Sequence, residues 1–130
     1  MRLLLDTQVA IWTVVDPDRL SDATRALIVD LRNDVFVSAA SIWEIAIKFA
    51  LHKRRNAPPF DGGAAIHHFR AAGYEFLSIT PEHVTAIETL PLLHADPFDK
   101  LLVAQALQEP LRLVTADEAV IRYSDTIIRA

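Results

Sequence analysis

Four carboxylates spread over the chain, Asp6, Glu44, Asp99 and Asp117, are the residues whose type and placement point to chemistry. Clustered carboxylates repel one another and burial makes each harder to ionise, so such a set makes physical sense when a hard divalent cation neutralises it. Oxygen ligands with no cysteine and no pairing of histidines among them suit Mg2+ or Mn2+ better than Zn2+. A metal held by carboxylates with open water positions activates water and steadies a phosphoryl oxygen during an in-line displacement. Phosphodiester hydrolysis is therefore the leading reaction class. Each acid also has a local reading. In the segment His94 to Gln105, Asp96 reads as a helix N-cap, Pro97 as the first helical residue and Asp99 as the third. Asp99 then either complements the helix dipole or points at the other acids. Asp117 can cap a helix after a strand, and Glu44 can pair with Lys48 at i,i+4. Asp6 is the hardest to explain locally, because it ends an apolar run.

The elements that must position these acids alternate between short apolar, β-branched runs and helical patterns, which predicts an α/β layer fold around a mainly parallel sheet. Strands are expected at Leu3–Asp6, Val35–Val37, Phe76–Ile79 and Leu111–Thr115, with a final edge strand at Ile127–Ile128. A short helix should follow Asp6 through Val9, Ile11 and Trp12. Ser21 should cap a helix to about Arg32 that turns Ala26, Leu27 and Leu31 inward. Further helices are expected from about Ser41 to His52, from Asp61 to a stop at Gly73, after Thr80-Pro81, from Asp96 to about Glu109, and around Asp117 to Arg122. Asp6 and Asp117 then lie at or just beyond strand ends, and Glu44 and Asp99 lie in early helical turns. In parallel α/β sheets these are the places that converge on one edge.

A chain of 130 residues with 52% hydrophobic residues reads as one domain, 1–130, with a packed core. The absence of cysteine excludes disulfides, thiolate zinc sites and a cysteine nucleophile, and fits a cytoplasmic protein. The apolar run at the N-terminus is too short for a signal peptide, and the longest apolar stretch carries Glu44 and Lys48, so no membrane association is expected. Thirteen basic and seventeen acidic residues give a net charge of −4, the wrong sign for holding nucleic acid by bulk electrostatics. Either the partner is not a polyanion or local cations override the global field, from a bound metal or from the basic run His52-Lys53-Arg54-Arg55.

The segments Leu3-Leu4-Leu5-Asp6-Thr7, Val37 to Ile45 with Ser41-Ile42-Trp43-Glu44 inside it, Leu90 to Lys100, and Leu113-Val114-Thr115-Ala116-Asp117 together resemble the PIN domain, and more closely the VapC-type toxins of toxin–antitoxin pairs. They span nearly the whole chain in the expected order. The resemblance implies a three-layer PIN-like fold and a metal-dependent endoribonuclease toxin that hydrolyses RNA phosphodiester bonds. Its acidic quartet would fall on Asp6, Glu44, Asp99 and Asp117, with Mg2+ or Mn2+ as cofactor. A small VapB-like antitoxin would block the site, and the chain would form a homodimer or a higher toxin–antitoxin oligomer. Ala95 departs from the arginine frequent in these toxins, and His52 to Arg55 replaces the usual glycine-containing turn.

On this reading Asp6 and Asp99 are the main metal ligands, and Glu44 and Asp117 contribute directly or through water. Thr115 bonds a carboxylate or substrate, or is simply structural. His94 orients Asp96 or its loop, or serves as a ligand or general acid. Lys100 and Arg112 are expected phosphate contacts, and His67 and His68 lie on a helix surface. Trp12, Trp43 and Phe49 belong to the core or a dimer seam. Two alternatives stand beside this reading: a metal-dependent phosphotransfer or receiver-like domain, and a catalytically inactive PIN-like binding module.

Overall fold

The computed structural model describes residues 1–51, 57–91 and 93–130, so the run His52 to Arg55 lies outside the described residues. Five strands, β1 (Arg2–Leu5), β2 (Asp34–Ser38), β3 (Glu75–Leu77), β4 (Arg112–Thr115) and β5 (Ile128–Arg129), form one sheet in the order β3-β2-β1-β4-β5. Every pairing is parallel, with Leu5 opposite Val37 on one side and Val114 on the other. The central strand must then be apolar on both faces. Leu3, Leu4 and Leu5 meet that requirement and are fully buried.

Among the described residues seven α-helices connect the strands: α1 (Thr7–Val15), α2 (Asp22–Val29), α3 (Ala39–Leu51), α4 (Gly62–Ala71), α5 (Pro81–Ala86), α6 (Pro97–Gln108) and α7 (Glu118–Ile121). The chain crosses the sheet one way from β1 to β3 and returns the other way to β4. Right-handed crossovers therefore place the first set of helices on one face and the second on the other. Leu3 and Leu5 pack with Val9, Ile11, Ala65 and Phe69 in one apolar cluster, and Leu4 packs with Leu101, Leu102, Ala106 and Val120 in the other. Helix α3 serves both layers, through Ile45 on one side and Ala40 on the other. The architecture is the three-layer α/β arrangement expected.

Helix starts follow the capping rules closely. Asp6, Ser21, Asp61, Thr80, Asp96 and Asp117 each accept a backbone N–H from the first turn of the helix they open. After α4 the chain turns at Gly73, whose φ of +86° suits a residue without a Cβ. Two inward assignments fail. Helix α2 ends at Val29, where Asp30 bonds the Arg32 amide, so Leu31 sits in a turn and is 99% exposed, and Ala26 is exposed as well. Trp43 and Phe49 are also exposed, at 51% and 41%, and are not core residues.

A buried polar chain ties the sheet to α5 and α6 on the second face. Ser38 Oγ donates to Gln105 Oε1 at 2.5 Å, and Gln105 Nε2 donates to the Ser78 carbonyl at 3.3 Å. His83 Nδ1 accepts the Thr80 amide at 3.0 Å, so its Nε2 carries the proton that faces Glu109 Oε2 at 2.5 Å. Ser38 also accepts the Ala40 amide and so starts α3. Through Gln105, the helix that bears Glu44 is held in register with the helix that bears Asp99. Gln105→Leu is expected to lower unfolding free energy by about 1–3 kcal/mol, because it leaves buried polar partners unpaired. Leu31→Ala should stay within about 0.5 kcal/mol. Urea denaturation of both variants checks the contrast, and equal costs would sink it.

Candidate active site

The strand order reverses direction between β1 and β4, and this switch point is where parallel α/β sheets bind ligands, beyond the carboxyl ends of the strands. A cleft of about 350 Å³ opens there. Asp6, Glu44, Asp99 and Asp117 all line it, together with Asp96, Lys48 and Trp12. Residues separated by up to 111 positions thus meet in one place. Lys100 is half-buried and is not among the residues lining the cleft. Arg112 starts β4, at the far end of that strand from the site, and its Nε donates to the Thr126 carbonyl at 2.8 Å. Neither lines the cleft.

Each acid is held by specific donors. Asp6 follows β1 directly and caps α1: Oδ1 accepts the Val9 amide at 2.8 Å, and Oδ2 accepts the Thr115 hydroxyl. The fully buried Thr115 in turn accepts the Asp117 amide at 3.1 Å, so one hydroxyl couples two of the acids. Asp117 Oδ1 accepts the Ala119 amide at 2.8 Å, which means that Asp117 does cap α7. Glu44 Oε1 accepts the Thr7 hydroxyl at 2.7 Å, and Oε2 pairs with Lys48 Nζ at 2.5 Å. Thr7 stands 2.9 Å from Ser41 Oγ; having spent its one proton on Glu44, it receives Ser41's. Asp96 Oδ1 accepts the amides of Phe98 and Asp99.

His94 does not reach Asp96. Its Nε2 lies 3.3 Å from Asp99 Oδ2 and its Nδ1 lies 2.8 Å from the Tyr123 hydroxyl, so it backs Asp99 from behind the cleft. His67 and His68 are exposed on α4, as expected of surface residues. Thr7, Ser41 and Tyr123 were not singled out from sequence. The usable signal for Thr7 was its position directly after Asp6, and for Ser41 its place one turn before Glu44. For Tyr123, 29 residues from His94, there was none.

Two of the acids, Asp6 and Asp99, are harder to ionise than an ordinary carboxyl. Burial pushes the Asp6 carboxyl from 3.8 up to about 7, with the Asp99 and Glu44 charges adding to the rise and the bonds from Thr115 and Val9 opposing it. Burial likewise pushes Asp99 up to about 6, with Asp96, Glu44 and Asp117 raising it and His94 lowering it. Two carboxyls that resist ionisation, Asp6 and Asp99, within an all-carboxylate set match the chemistry of a hard divalent cation. Among the described residues, however, no three acidic or imidazole side chains converge on one point as they stand. The donor set fits Mg2+ or Mn2+, and seating the ion takes rotation of a carboxylate such as Glu44, whose oxygens are turned to Thr7 and Lys48.

Comparison with known proteins matches residues 3–125 to the PIN domain family. The chain is 32% identical over 118 residues to Ribonuclease VapC22 of Mycobacterium tuberculosis, covering 88% of this chain and 86% of that protein. Among solved structures it resembles VapBC2 from Rickettsia felis bound to a promoter DNA fragment, with a TM-score of 0.70 at 18% identity, over 100% of this chain and 98% of that one. It also resembles the DNA-bound VapBC of Salmonella typhimurium, with a TM-score of 0.67 at 15% identity, over 100% and 97%.

The raised carboxyl groups have a consequence for stability. An acid whose folded pKa lies above its unfolded value keeps in the folded state a proton that the unfolded chain has released. Stability therefore falls as pH rises through the interval from about 4 to about 7 set by Asp6. Without divalent metal, the protein is expected to lose on the order of 2–3 kcal/mol from this group between about pH 5 and pH 8. Asp6→Asn should remove most of that slope. Urea melts in EDTA at the two pH values check this, and identical slopes for wild type and variant would refute it.

Proposed function

The chain belongs to the PIN domain family and, within it, to the VapC-type ribonucleases, and on that premise we propose that it is a metal-dependent endoribonuclease toxin whose active site is the acidic cleft between β1 and β4. The observation that carries the reading is the convergence of Asp6, Glu44, Asp99 and Asp117 in that one cleft. Asp6 and Asp99 are its main ligands for Mg2+ or Mn2+, with Glu44 and Asp117 contributing directly or through water. A divalent cation there supplies charge neutralisation and a water of lowered pKa beside the scissile phosphate.

The remaining residues set up the acids. Thr115 orients Asp6 and ties it to Asp117, Thr7 orients Glu44, and the Tyr123–His94 pair backs Asp99. Hydroxyl and imidazole partners of this kind fix the ligand rotamers. Asp96 serves mainly as the cap of α6 while lining the cleft wall.

The solved VapBC complexes from R. felis and S. typhimurium support a small VapB-like antitoxin as the regulatory partner. For self-association, the exposed apolar residues of α3, Trp43, Phe49 and Leu51, offer a surface to bury. Among the described residues no helix is long and apolar enough to cross a membrane. The family match removes the basis for a receiver-like domain, and the complete acidic set supports catalysis over an inactive binding module.

The test is cleavage of RNA with Mg2+ or Mn2+, with and without EDTA, for wild type and Asp99→Asn. Asp99→Asn is expected to lower the rate by more than about a hundredfold, the upper end of what losing an outer-shell partner does. It is also expected to raise the metal-free melting temperature, because it removes a buried like charge from the cluster. Full activity in the variant would sink the catalytic assignment, and a loss of metal-free stability would make Asp99 a helix-start residue instead.

A further inference from the structure

Among the described residues one cation lines the acidic cleft. Lys48 lies one turn beyond Glu44 on α3, shares the cleft wall with Asp6, Asp96, Asp99 and Asp117, and holds Glu44 Oε2 at 2.5 Å. The same lysine lines an adjoining pocket of about 320 Å³, whose walls include Gln8, Ile11, Ile45 and Pro58. It therefore stands at the junction of the two. With Thr7 on Oε1 and Lys48 on Oε2, both Glu44 oxygens are engaged, and the acids do not close around a common point.

We propose that Lys48 is a tethered counter-ion: it neutralises Glu44 until a divalent cation arrives, competes with that cation for the carboxylate, and on release presents its ammonium to an RNA phosphate lying across the junction of the two pockets. This role rests on the metal-dependent reading of the cleft. The physical basis is the asymmetry of the pair. The Glu44 side chain is 9% exposed and the Lys48 side chain 40%, so the lysine can swing away on its flexible stem and free the glutamate carboxylate to turn toward the ion. A half-exposed pair is weak enough to yield to a divalent ion yet strong enough to tune its affinity. An ammonium also binds phosphate as a point charge without demanding one orientation.

Calorimetric titration of Mg2+ and Mn2+ into wild type, Lys48→Gln, Lys48→Arg, Glu44→Gln and the Glu44→Gln/Lys48→Gln double variant tests the role, with RNA cleavage measured at saturating metal. Lys48→Gln is expected to bind Mg2+ about tenfold more tightly than wild type, and the gain should fall below about twofold when Glu44 is already Gln. The same variant should raise KM for RNA more than it changes kcat, and Lys48→Arg should restore KM. Unchanged or weaker Mg2+ binding by Lys48→Gln overturns the competition, as does an equal gain in the Glu44→Gln background. Wild-type protein that binds neither ion overturns the metal-dependent reading itself, and this role with it.

Discussion

A carboxylate buried at the end of a central strand has to be offset by hydrogen-bond donors, by a cation or by a proton. Asp6 is offset in part by the first and is left open to the others. The Val9 amide and the Thr115 hydroxyl each engage one of its oxygens, yet burial and the neighbouring acids still push the group up to about 7. The surrounding arrangement answers this one unfavourable burial. Thr115 is fully buried with its hydroxyl donated to Asp6, and Asp117 is drawn to the same hydroxyl through its amide. Glu44 is quieted by Thr7 and Lys48, and Asp99 by His94.

The topology makes this convergence possible at little extra structural expense. Parallel strands all point the same way, so their carboxyl ends and the N-termini of the following helices share one edge. Three of the acids lining the cleft, Asp6, Asp96 and Asp117, are also helix N-caps, so the same side chain starts a helix and lines the site. Capping uses one carboxylate oxygen in Asp96 and Asp117, which leaves the other free for the cleft. Local and functional explanations of these acids are thus complementary rather than exclusive. The same holds for Glu44, which pairs with Lys48 along its helix and faces the cleft at once.

The supports of the site lie in the layers behind it. Helix α3 carries Glu44 and Lys48 between the two apolar clusters, and Gln105 bridges the start of α3 to the middle of α6. Trp43 of α3 meets Phe98 of α6 edge-on, with ring centroids 4.8 Å apart, which closes the same pair of helices nearer the surface. Small shifts in this packing move Glu44 relative to Asp99, so the cleft's geometry is a property of the core as much as of its own residues.

Much of this was legible in sequence because it depends on short-range rules. Apolar triplets such as Leu3-Leu4-Leu5 announce a central strand, Asp96-Pro97 and Thr80-Pro81 announce helix starts, and acids at strand ends announce the side of the sheet that binds. Leu31 was misread because sequence periodicity does not say where a helix stops, and Arg112 because its charge alone suggested a phosphate although it opens the strand whose far end leads to Asp117. Leu31 falls two residues past the end of α2, and Arg112 sits at the opposite end of β4 from Asp117. The partners of the acids, Thr115 for Asp6, Thr7 for Glu44 and Tyr123 through His94 for Asp99, lie 24 to 109 positions away from them. Sequence alone determined the layer architecture and the acids that meet in one cleft, because both follow from local patterning. Only the tertiary structure decided which hydroxyl, imidazole and ammonium groups hold each carboxylate, because those choices depend on which side chains the sheet order brings within hydrogen-bonding distance.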